Sequence, residues 1–166
     1  MRALGFKSNG GPEVLEQVDL PVPEPGPGQV LIEVAYAGVN FAEVQHRRGE
    51  FGEPDGHGGY DVPGLEASGT VVGLGAGVTG FAEGEQVAAY LPAFGGYAEF
   101  AVTGSDFVRP IGNLPLAHAA GVPCVFPTAY GVLTDAGRLR AGETVLIHAA
   151  PTGHVAYRVG EAVTHK

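Results

Sequence analysis

Apolar and polar residues alternate over several short stretches near the start of the chain, which predicts β-strands. Residues 2–6 and 14–18 are two such stretches, and the Asn-Gly-Gly-Pro sequence at residues 9–12 predicts a turn between them. We therefore expect a hairpin. The proline-rich residues 21–28 lack the N–H donors of a strand ladder and predict an extended connector. Residues 30–37 then predict a central strand.

A glycine pattern follows the next predicted strand, residues 68–73. Gly75, Gly77 and Gly80 have the G-x-G-x-x-G spacing of a dinucleotide-binding turn. Such a turn works only when a helix starts at the third glycine and directs its N-terminal N–H groups at the pyrophosphate. Gly84 interrupts the sequence soon afterwards and another strand begins, so no crossover helix fits. These glycines are expected to lie in turns of an antiparallel meander.

The remaining pattern adds two helical segments and two strands. The spacing of Phe41, Val44 and Arg48 predicts a helix of about two turns that ends at Gly49. The glycine-rich residues 51–60 predict a loop, and residues 95–102 another strand. Residues 115–136 predict two short helices broken by prolines, with Pro115 at the first helical position. Residues 143–148 predict a buried strand of the parallel type.

Composition narrows the class of protein. With 166 residues, of which 45% are apolar and 16% charged, one globular core is expected, and 28 glycines with 13 prolines favour short strands joined by turns. The net charge of −9 disfavours binding to nucleic acid or to an anionic membrane. The sequence has neither a membrane-span pattern nor a signal-peptide pattern, so a soluble, cytoplasmic protein is expected.

Cysteine and histidine usage argues against a metal site. The lone Cys124 excludes an intrachain disulfide and a multi-cysteine zinc site, and it is expected to be a small buried apolar residue. No two of the six histidines have the H-x-x-x-H spacing of a helical metal site. We therefore expect no metal.

Several segments together resemble one family. They are Gly10-Gly11-Pro12-Glu13-Val14-Leu15, Ala37-Gly38-Val39-Asn40-Phe41-Ala42-Glu43 with Arg47-Arg48-Gly49, Val62-Pro63-Gly64-Leu65-Glu66-Ala67-Ser68-Gly69, Pro127-Thr128-Ala129-Tyr130 and residues 141–150. The combination resembles the zinc-independent NADPH:quinone oxidoreductases, the zeta-crystallin-like branch of the medium-chain dehydrogenase/reductase superfamily. The turn around Gly75 and Gly77 is also similar to a turn of that family.

The resemblance implies a mainly β fold with a few short helices, the partly open GroES-like barrel of alcohol dehydrogenase catalytic domains. Residues 1–150 would form this domain, with a helical segment at 115–136 and the first Rossmann-type strand at 143–148. Residues 151–166 resemble the family's C-terminal strand, so a nucleotide-binding domain would be absent between them. Zinc-dependent relatives have cysteine where Asn40 stands and histidine where Leu65 stands, so the resemblance implies no zinc.

The resemblance also implies a reaction, hydride transfer from NADPH to a quinone or enone. Its catalytic residues would be Asn40, Glu43 and Arg47, with Asn40 and Thr128 facing the cofactor. The implied substrate pocket consists of Phe41, Phe51, Tyr60 and Leu65. The family has aspartate and tyrosine where Glu43 and Phe51 stand.

Structural interpretations of the same residues stay open. Asn40 is a suitable N-cap for the helix that follows it. Glu43 and Arg47 are spaced i,i+4 and are compatible with an exposed ion pair worth only ~0.3–0.5 kcal/mol. Phe51 and Tyr60 are compatible with loop packing, and His57 with a solvated loop position.

Three alternative functions for the chain stay open. The chain is either the catalytic domain of a truncated reductase, or a non-catalytic GroES-like binding or interaction module, or an enoyl-reductase-type domain acting on thioesters. Without the domain that binds the pyrophosphate, NADPH would not be held tightly and the chain alone would be inactive. A monomer or weak self-association is expected.

Overall fold

The computed structural model describes residues 1–51, 59–150 and 153–158, with only the backbone described for 147–150 and 153–158. His57, most of the predicted loop 51–60, and residues 151–152 and 159–166 therefore lie outside the described residues. The chain divides into two compact units, residues 1–125 and residues 126–166. Among the described residues, no helix combines the length and the apolar character needed to cross a bilayer.

The described residues of the first unit include seven short strands. Two form a hairpin, β1 (Arg2–Gly5) with β2 (Glu16–Asp19), as the sequence predicts. The other five form one antiparallel sheet in the order β6-β3-β4-β5-β7, which curls into a half-barrel. They are β3 (Gln29–Ala37), β4 (Glu66–Leu74), β5 (Gln86–Tyr90), β6 (Phe100–Gly104) and β7 (Val108–Pro110). The predicted fold class, mainly β with a few short helices, is confirmed.

The core lies on one face of the five-stranded sheet. Val30 and Ile32 point into it from β3 and have no exposed surface, whereas Glu33 beside them is exposed. This is the period-two alternation that the sequence predicts. Four further fully buried side chains complete the cluster: Val71, Val87, Ala89 and Val108. Burial of each such valine or isoleucine contributes ~1.5–3 kcal/mol relative to its exposed state.

The glycine pattern at residues 75–80 lies in the connection between β4 and β5. Residues 75–85 contain no helix, so the predicted turns are confirmed. Gly77 and Gly80 have φ of 83° and 85°, in the left-handed region that favours glycine. Gly75 has a different reason: a Cβ there would collide with the carbonyl oxygen of Gly26 in the proline-rich connector.

The helices of the first unit are short. Helix α1 (Phe41–Arg47) follows β3, and helix α2 (Leu116–Ala119) follows β7. Single 3-10 turns lie at Pro12–Val14 and Ser105–Phe107. Pro115 is the N-cap of α2, one position before the predicted one. The predicted strand at 95–102 was only partly right, because regular pairing begins at Phe100 and Ala98 makes a single bridge to Ala3.

Helix α3 (Val125–Gly131) begins at the last residue of the first unit, and its other residues belong to the second unit. The second unit also contains a π-helical turn (Val132–Ala136) and a hairpin of two strands, β8 (Thr144–Ala150) and β9 (Gly153–Arg158). Pro127 does not break α3, because it lies in the first turn, where the missing N–H has no helical partner to lose. Strand β8 pairs antiparallel with β9. Leu146 is 58% exposed, so the predicted buried, parallel environment of this strand was wrong.

Candidate functional site

The three predicted catalytic residues lie on helix α1 and its cap. Asn40 is the N-cap, with φ −118° and ψ 157°, as the capping interpretation predicts. Glu43 is the third helical residue and Arg47 the last. Their spacing of three and four residues places all three on one face of the helix.

Glu43 is buried and anchors its helix to strand β4. Its exposed fraction is 5%. One carboxylate oxygen accepts a hydrogen bond from the Asn40 backbone N–H at 2.6 Å, the carboxylate half of a capping box. The other oxygen accepts from the Leu65 backbone N–H at 3.0 Å. Glu43 therefore links the start of α1 to the residue just before β4.

Arg47 is buried as well, with an exposed fraction of 6%. Its guanidinium donates to the carbonyl oxygen of Gly10, and the Gly10 N–H donates back to the Arg47 carbonyl oxygen at 2.9 Å. The interpretation of Glu43 and Arg47 as an exposed ion pair is therefore wrong. Each is buried, and each binds backbone groups of a different segment.

Glu66, the first residue of β4, joins this group although the sequence analysis did not select it. It is 1% exposed. Its Oε1 accepts from the Asn40 Nδ2 at 2.9 Å, and its Oε2 accepts from the Cys124 backbone N–H at 2.8 Å. The available signal was an acidic residue within the apolar and small residues 62–69, where a carboxylate needs specific donors.

A cavity of about 190 Å³ opens beside these residues. Its walls are mostly apolar, and its polar groups come from Asn40, Glu43, Arg47 and Tyr97. The apolar lining consists of Pro12, Leu15, Val39, Val44 and Pro63. An apolar pocket with a few convergent polar groups is the usual form of a small-molecule site.

Burial and the two buried carboxylates together raise the pKa values of Tyr97 and Cys124. Burial raises the pKa of Tyr97 to about 12, and the charges of Glu43 and Glu66 add to the effect. The Tyr97 phenol is therefore a neutral hydrogen-bond donor throughout the physiological pH range. Burial also raises the pKa of the Cys124 thiol, followed by the effects of Glu66 and then Glu43.

The lining of this cavity does not include the four residues of the predicted substrate pocket. Leu65 is buried, and its contact with the site is through its backbone N–H. Phe41 is 67% exposed on α1. Tyr60 lies beneath the Lys7 ammonium, 4.4 Å from the ring centroid. Phe51 is 59% exposed, and its ring packs edge-on against neighbouring rings, as the loop-packing interpretation predicts.

Thr128 is exposed on α3. It belongs to the second unit, whereas Asn40, the other predicted cofactor contact, belongs to the first. Across the described parts of both units, no group of three or more His, Cys, Asp or Glu side chains is arranged to hold a metal ion.

A second buried polar group lies at the C-terminal end of α1. His46 is 7% exposed, and its Nε2 lies 3.0 Å from Asp61 Oδ2. Its ring stacks on Phe94 at a centroid distance of 3.8 Å and meets Phe6 edge-on at 5.2 Å. The sequence analysis missed this pair because Asp61 is fifteen residues away, beyond the glycine-rich stretch.

Comparison with known proteins agrees with this architecture. The family model of the alcohol dehydrogenase GroES-like domain matches residues 26–113. Mouse quinone oxidoreductase is 38% identical over 157 residues, covering 92% of this chain and 46% of the mouse protein. Human synaptic vesicle membrane protein VAT-1 homolog-like is 35% identical over 164 residues, covering 98% of this chain and 37% of the human protein.

Solved structures give the same result. A mycobacterial protein in complex with NADPH superposes with a TM-score of 0.81 at 31% identity, covering 90% of this chain and 45% of that one. The chain spans less than half the length of the curated relatives cited here. The chain belongs to the alcohol dehydrogenase GroES-like domain family, and its relatives include the quinone oxidoreductases of the medium-chain dehydrogenase/reductase superfamily.

Proposed function

We propose that this chain is the substrate-binding domain of an NADPH-dependent quinone oxidoreductase-type enzyme that reduces a quinone or an enone. The cavity beside α1 carries this proposal. Its apolar walls suit a flat hydrocarbon ring, and Asn40, Arg47 and Tyr97, which carry hydrogen-bond donors, are among its lining residues.

The charge distribution suits the product of hydride addition. When a quinone or enone accepts a hydride, negative charge develops on its oxygen, and a fixed cation or neutral donor stabilises that charge. Arg47 is held in place by Gly10, and Tyr97 stays protonated, so neither group has to reorganise during the reaction. The reaction in this proposal needs no metal, since Asn40 and Leu65 stand where zinc-dependent relatives have ligands.

NADPH, when bound, supplies the hydride. The amide of Asn40 binds either the nicotinamide carboxamide or a substrate oxygen in this proposal, and we include Thr128 as a cofactor contact by resemblance. Residues 1–51 and 59–150 provide no comparable site for the pyrophosphate of the nucleotide, because no helix begins at the glycine pattern of residues 75–80. We therefore propose that this chain alone binds NADPH weakly and turns over little substrate. Fluorescence titration of NADPH that gives a micromolar dissociation constant would overturn this part of the proposal.

Quinone binding tests the cavity directly. Val39 lines the cavity and is 84% exposed, so Val39→Trp should block the cavity without disturbing the core. Val22→Trp is a matched control, because Val22 lies in the proline-rich connector outside the cavity and is 46% exposed. Duroquinone, whose methylated ring resists thiol addition, is titrated into the ¹⁵N-labelled chain and followed by NMR.

We expect duroquinone to shift the signals of Asn40 and Tyr97. Val39→Trp should weaken binding by about tenfold or more, because a filled pocket has no room for the ring. Val22→Trp should leave the affinity unchanged. No binding by the unmodified chain, or equal binding by the Val39→Trp variant, would contradict the proposed site.

One observation favours a second candidate, a non-catalytic binding module. Asn40, Glu43 and Arg47 all make structural hydrogen bonds, so the fold itself requires them whether or not a reaction occurs. Analysis of nucleotide that co-purifies with the cell-derived protein is a first test of the two candidates. Bound NADP(H) would support the reductase domain. Because we propose that the chain alone binds NADPH weakly, absence of bound nucleotide is expected for both candidates. Duroquinone binding without any reduction of duroquinone at saturating NADPH would then support the module. In either case we expect a monomer or weak self-association, measured by light scattering.

A further inference from the structure

The orientation of the Asn40 amide is set by a residue outside helix α1. Asn40 Nδ2 lies 2.9 Å from Glu66 Oε1. A carboxylate oxygen accepts this hydrogen bond, so the amide nitrogen, and not the amide oxygen, must face Glu66. The amide oxygen then turns away from Glu66, while the Glu43 N–H donates to the backbone carbonyl oxygen of Asn40 at 3.3 Å. One Nδ2 hydrogen remains for a ligand.

Glu66 can fix the Asn40 amide because both of its carboxylate oxygens accept hydrogen bonds. Oε1 binds Asn40 and Oε2 binds the Cys124 backbone N–H at 2.8 Å. The second hydrogen bond prevents rotation of the carboxylate away from Asn40. A glutamine at this position has a single acceptor oxygen and satisfies only one of the two donors.

Gly38 provides the space for this carboxylate. A Cβ on Gly38 would collide with the Oε1, Cγ and Cδ atoms of Glu66. The contact involves the stem of the side chain as well as its end, so an alanine at 38 would have to displace Glu66. The Gly38 N–H also donates to the Glu66 carbonyl oxygen at 3.1 Å, which holds the two residues together.

From this geometry we infer that Glu66 is the positioning residue of the site: it fixes the Asn40 amide so that one N–H is presented to a ligand oxygen in the cavity, and Gly38 makes this contact possible. The assignment of a ligand to that N–H rests on the proposed function. The orientation itself does not, because it depends only on contacts within the chain.

The test is the side-chain amide signal of Asn40 in the ¹⁵N-labelled chain. The sequence has three asparagines, Asn9, Asn40 and Asn113, so Asn40→Asp identifies the signal by its loss. We compare Glu66→Gln and Gly38→Ala with two matched controls. Glu33→Gln neutralises an exposed glutamate, and Gly121→Ala adds a Cβ where no atom lies within 4 Å.

We expect a downfield Asn40 proton in the unmodified chain, with slower solvent exchange than the amide of Asn113. Glu66→Gln and Gly38→Ala should move this proton toward the free-amide position and accelerate its exchange by about tenfold, the effect of losing one net hydrogen bond. Both controls should leave the signal unchanged. If both test variants fail to fold, as judged by circular dichroism, the unmodified chain decides, since exchange as fast as that of Asn113 would overturn the inference.

Duroquinone affinity provides the functional readout. Glu66→Gln should weaken binding by about five- to tenfold in the unmodified background, and should have no further effect in an Asn40→Ala background, because the two residues act through one contact. Equal losses in both backgrounds would show that Glu66 is only structural and would overturn the positioning role. If the unmodified chain binds no duroquinone, the proposed function fails, and the Asn40 amide signal still decides the positioning inference.

Discussion

The two ends of helix α1 both bury polar side chains, but they satisfy them in different ways. At the C-terminal end, His46 and Asp61 pair with each other at 3.0 Å and the His46 ring is covered by Phe94 and Phe6. At the N-terminal end, backbone N–H groups and one side-chain amide donate to Glu43 and Glu66, and no ion pair to either is found among the described residues.

This difference separates a structural group from a candidate site. His46 pairs with Asp61 through Nε2 under aromatic rings, while its buried Nδ1 has no hydrogen-bond partner among the described residues. At the N-terminal end, burial raises the pKa values of Tyr97 and Cys124, and Glu43 and Glu66 add to this effect. The N-terminal end of α1 therefore has the electrostatic features of a functional site.

The largest effect is expected from Glu43→Ala. It leaves the N–H groups of Asn40 and Leu65 without their acceptor, and should lower the free energy of unfolding by about 2–4 kcal/mol. Glu43→Gln keeps one acceptor oxygen and should cost about half as much. Urea denaturation measures both. Equal stability of the alanine variant and the unmodified chain would mean that this network contributes nothing to the fold.

Asp61→Asn is the corresponding change at the other end of α1. The asparagine oxygen still accepts from His46 Nε2, so only the charge assistance is lost, at about 1 kcal/mol. Urea denaturation should show this smaller loss, and duroquinone affinity should stay the same. A change in that affinity would contradict the separation of the two ends.

The raised pKa of Tyr97 predicts a loss of stability in alkali. The folded chain favours the protonated phenol, with a pKa of about 12 against an ordinary value of 10.0, so the stabilisation is complete below pH 10 and is lost as the pH rises from 10 toward 12. The free energy of unfolding of Tyr97→Phe should fall less steeply over this range than that of the unmodified chain. Parallel curves would show that Tyr97 is not shifted.

The smallest predicted effect concerns the thiol of Cys124, whose pKa is raised by burial and by the same two carboxylates. Its raised pKa lowers the thiolate fraction, so alkylation by iodoacetamide at pH 8 should be slower than that of the free thiol in a short unstructured peptide with both ends blocked. Glu66→Gln should accelerate the reaction, and Glu43→Gln should accelerate it less, following the order of their effects on the thiol. The lone cysteine makes the measurement unambiguous. A reaction as fast as that of the free thiol would contradict the assignment.

The fold was predictable wherever local pattern controls structure. The alternation around Val30 and Ile32, the turn before β2 and the capping position of Asn40 are all encoded within a few residues. Strand β8 shows the limit: its apolar sequence suits a buried parallel strand, and only its pairing with β9 shows an antiparallel hairpin.

The candidate site was predictable only in part. Asn40, Glu43 and Arg47 were selected through the resemblance of residues 37–49 to a family motif. Glu66 was not selected: an acidic residue among the apolar and small residues 62–69 was a signal, but its donors lie 26 and 58 residues away in the sequence. Burial of Arg47 likewise depends on Gly10, 37 residues away.

The double link between Arg47 and Gly10 has a mechanical consequence. It fastens the turn of the first hairpin to the last residue of α1, and that hairpin supplies Pro12 and Leu15 to one wall of the cavity while α1 supplies Val44 to another. The two walls must then travel together. Opening of the cavity by a hinge between the hairpin and the helix is therefore disfavoured, and the exposed Val39 lies where a ligand would enter.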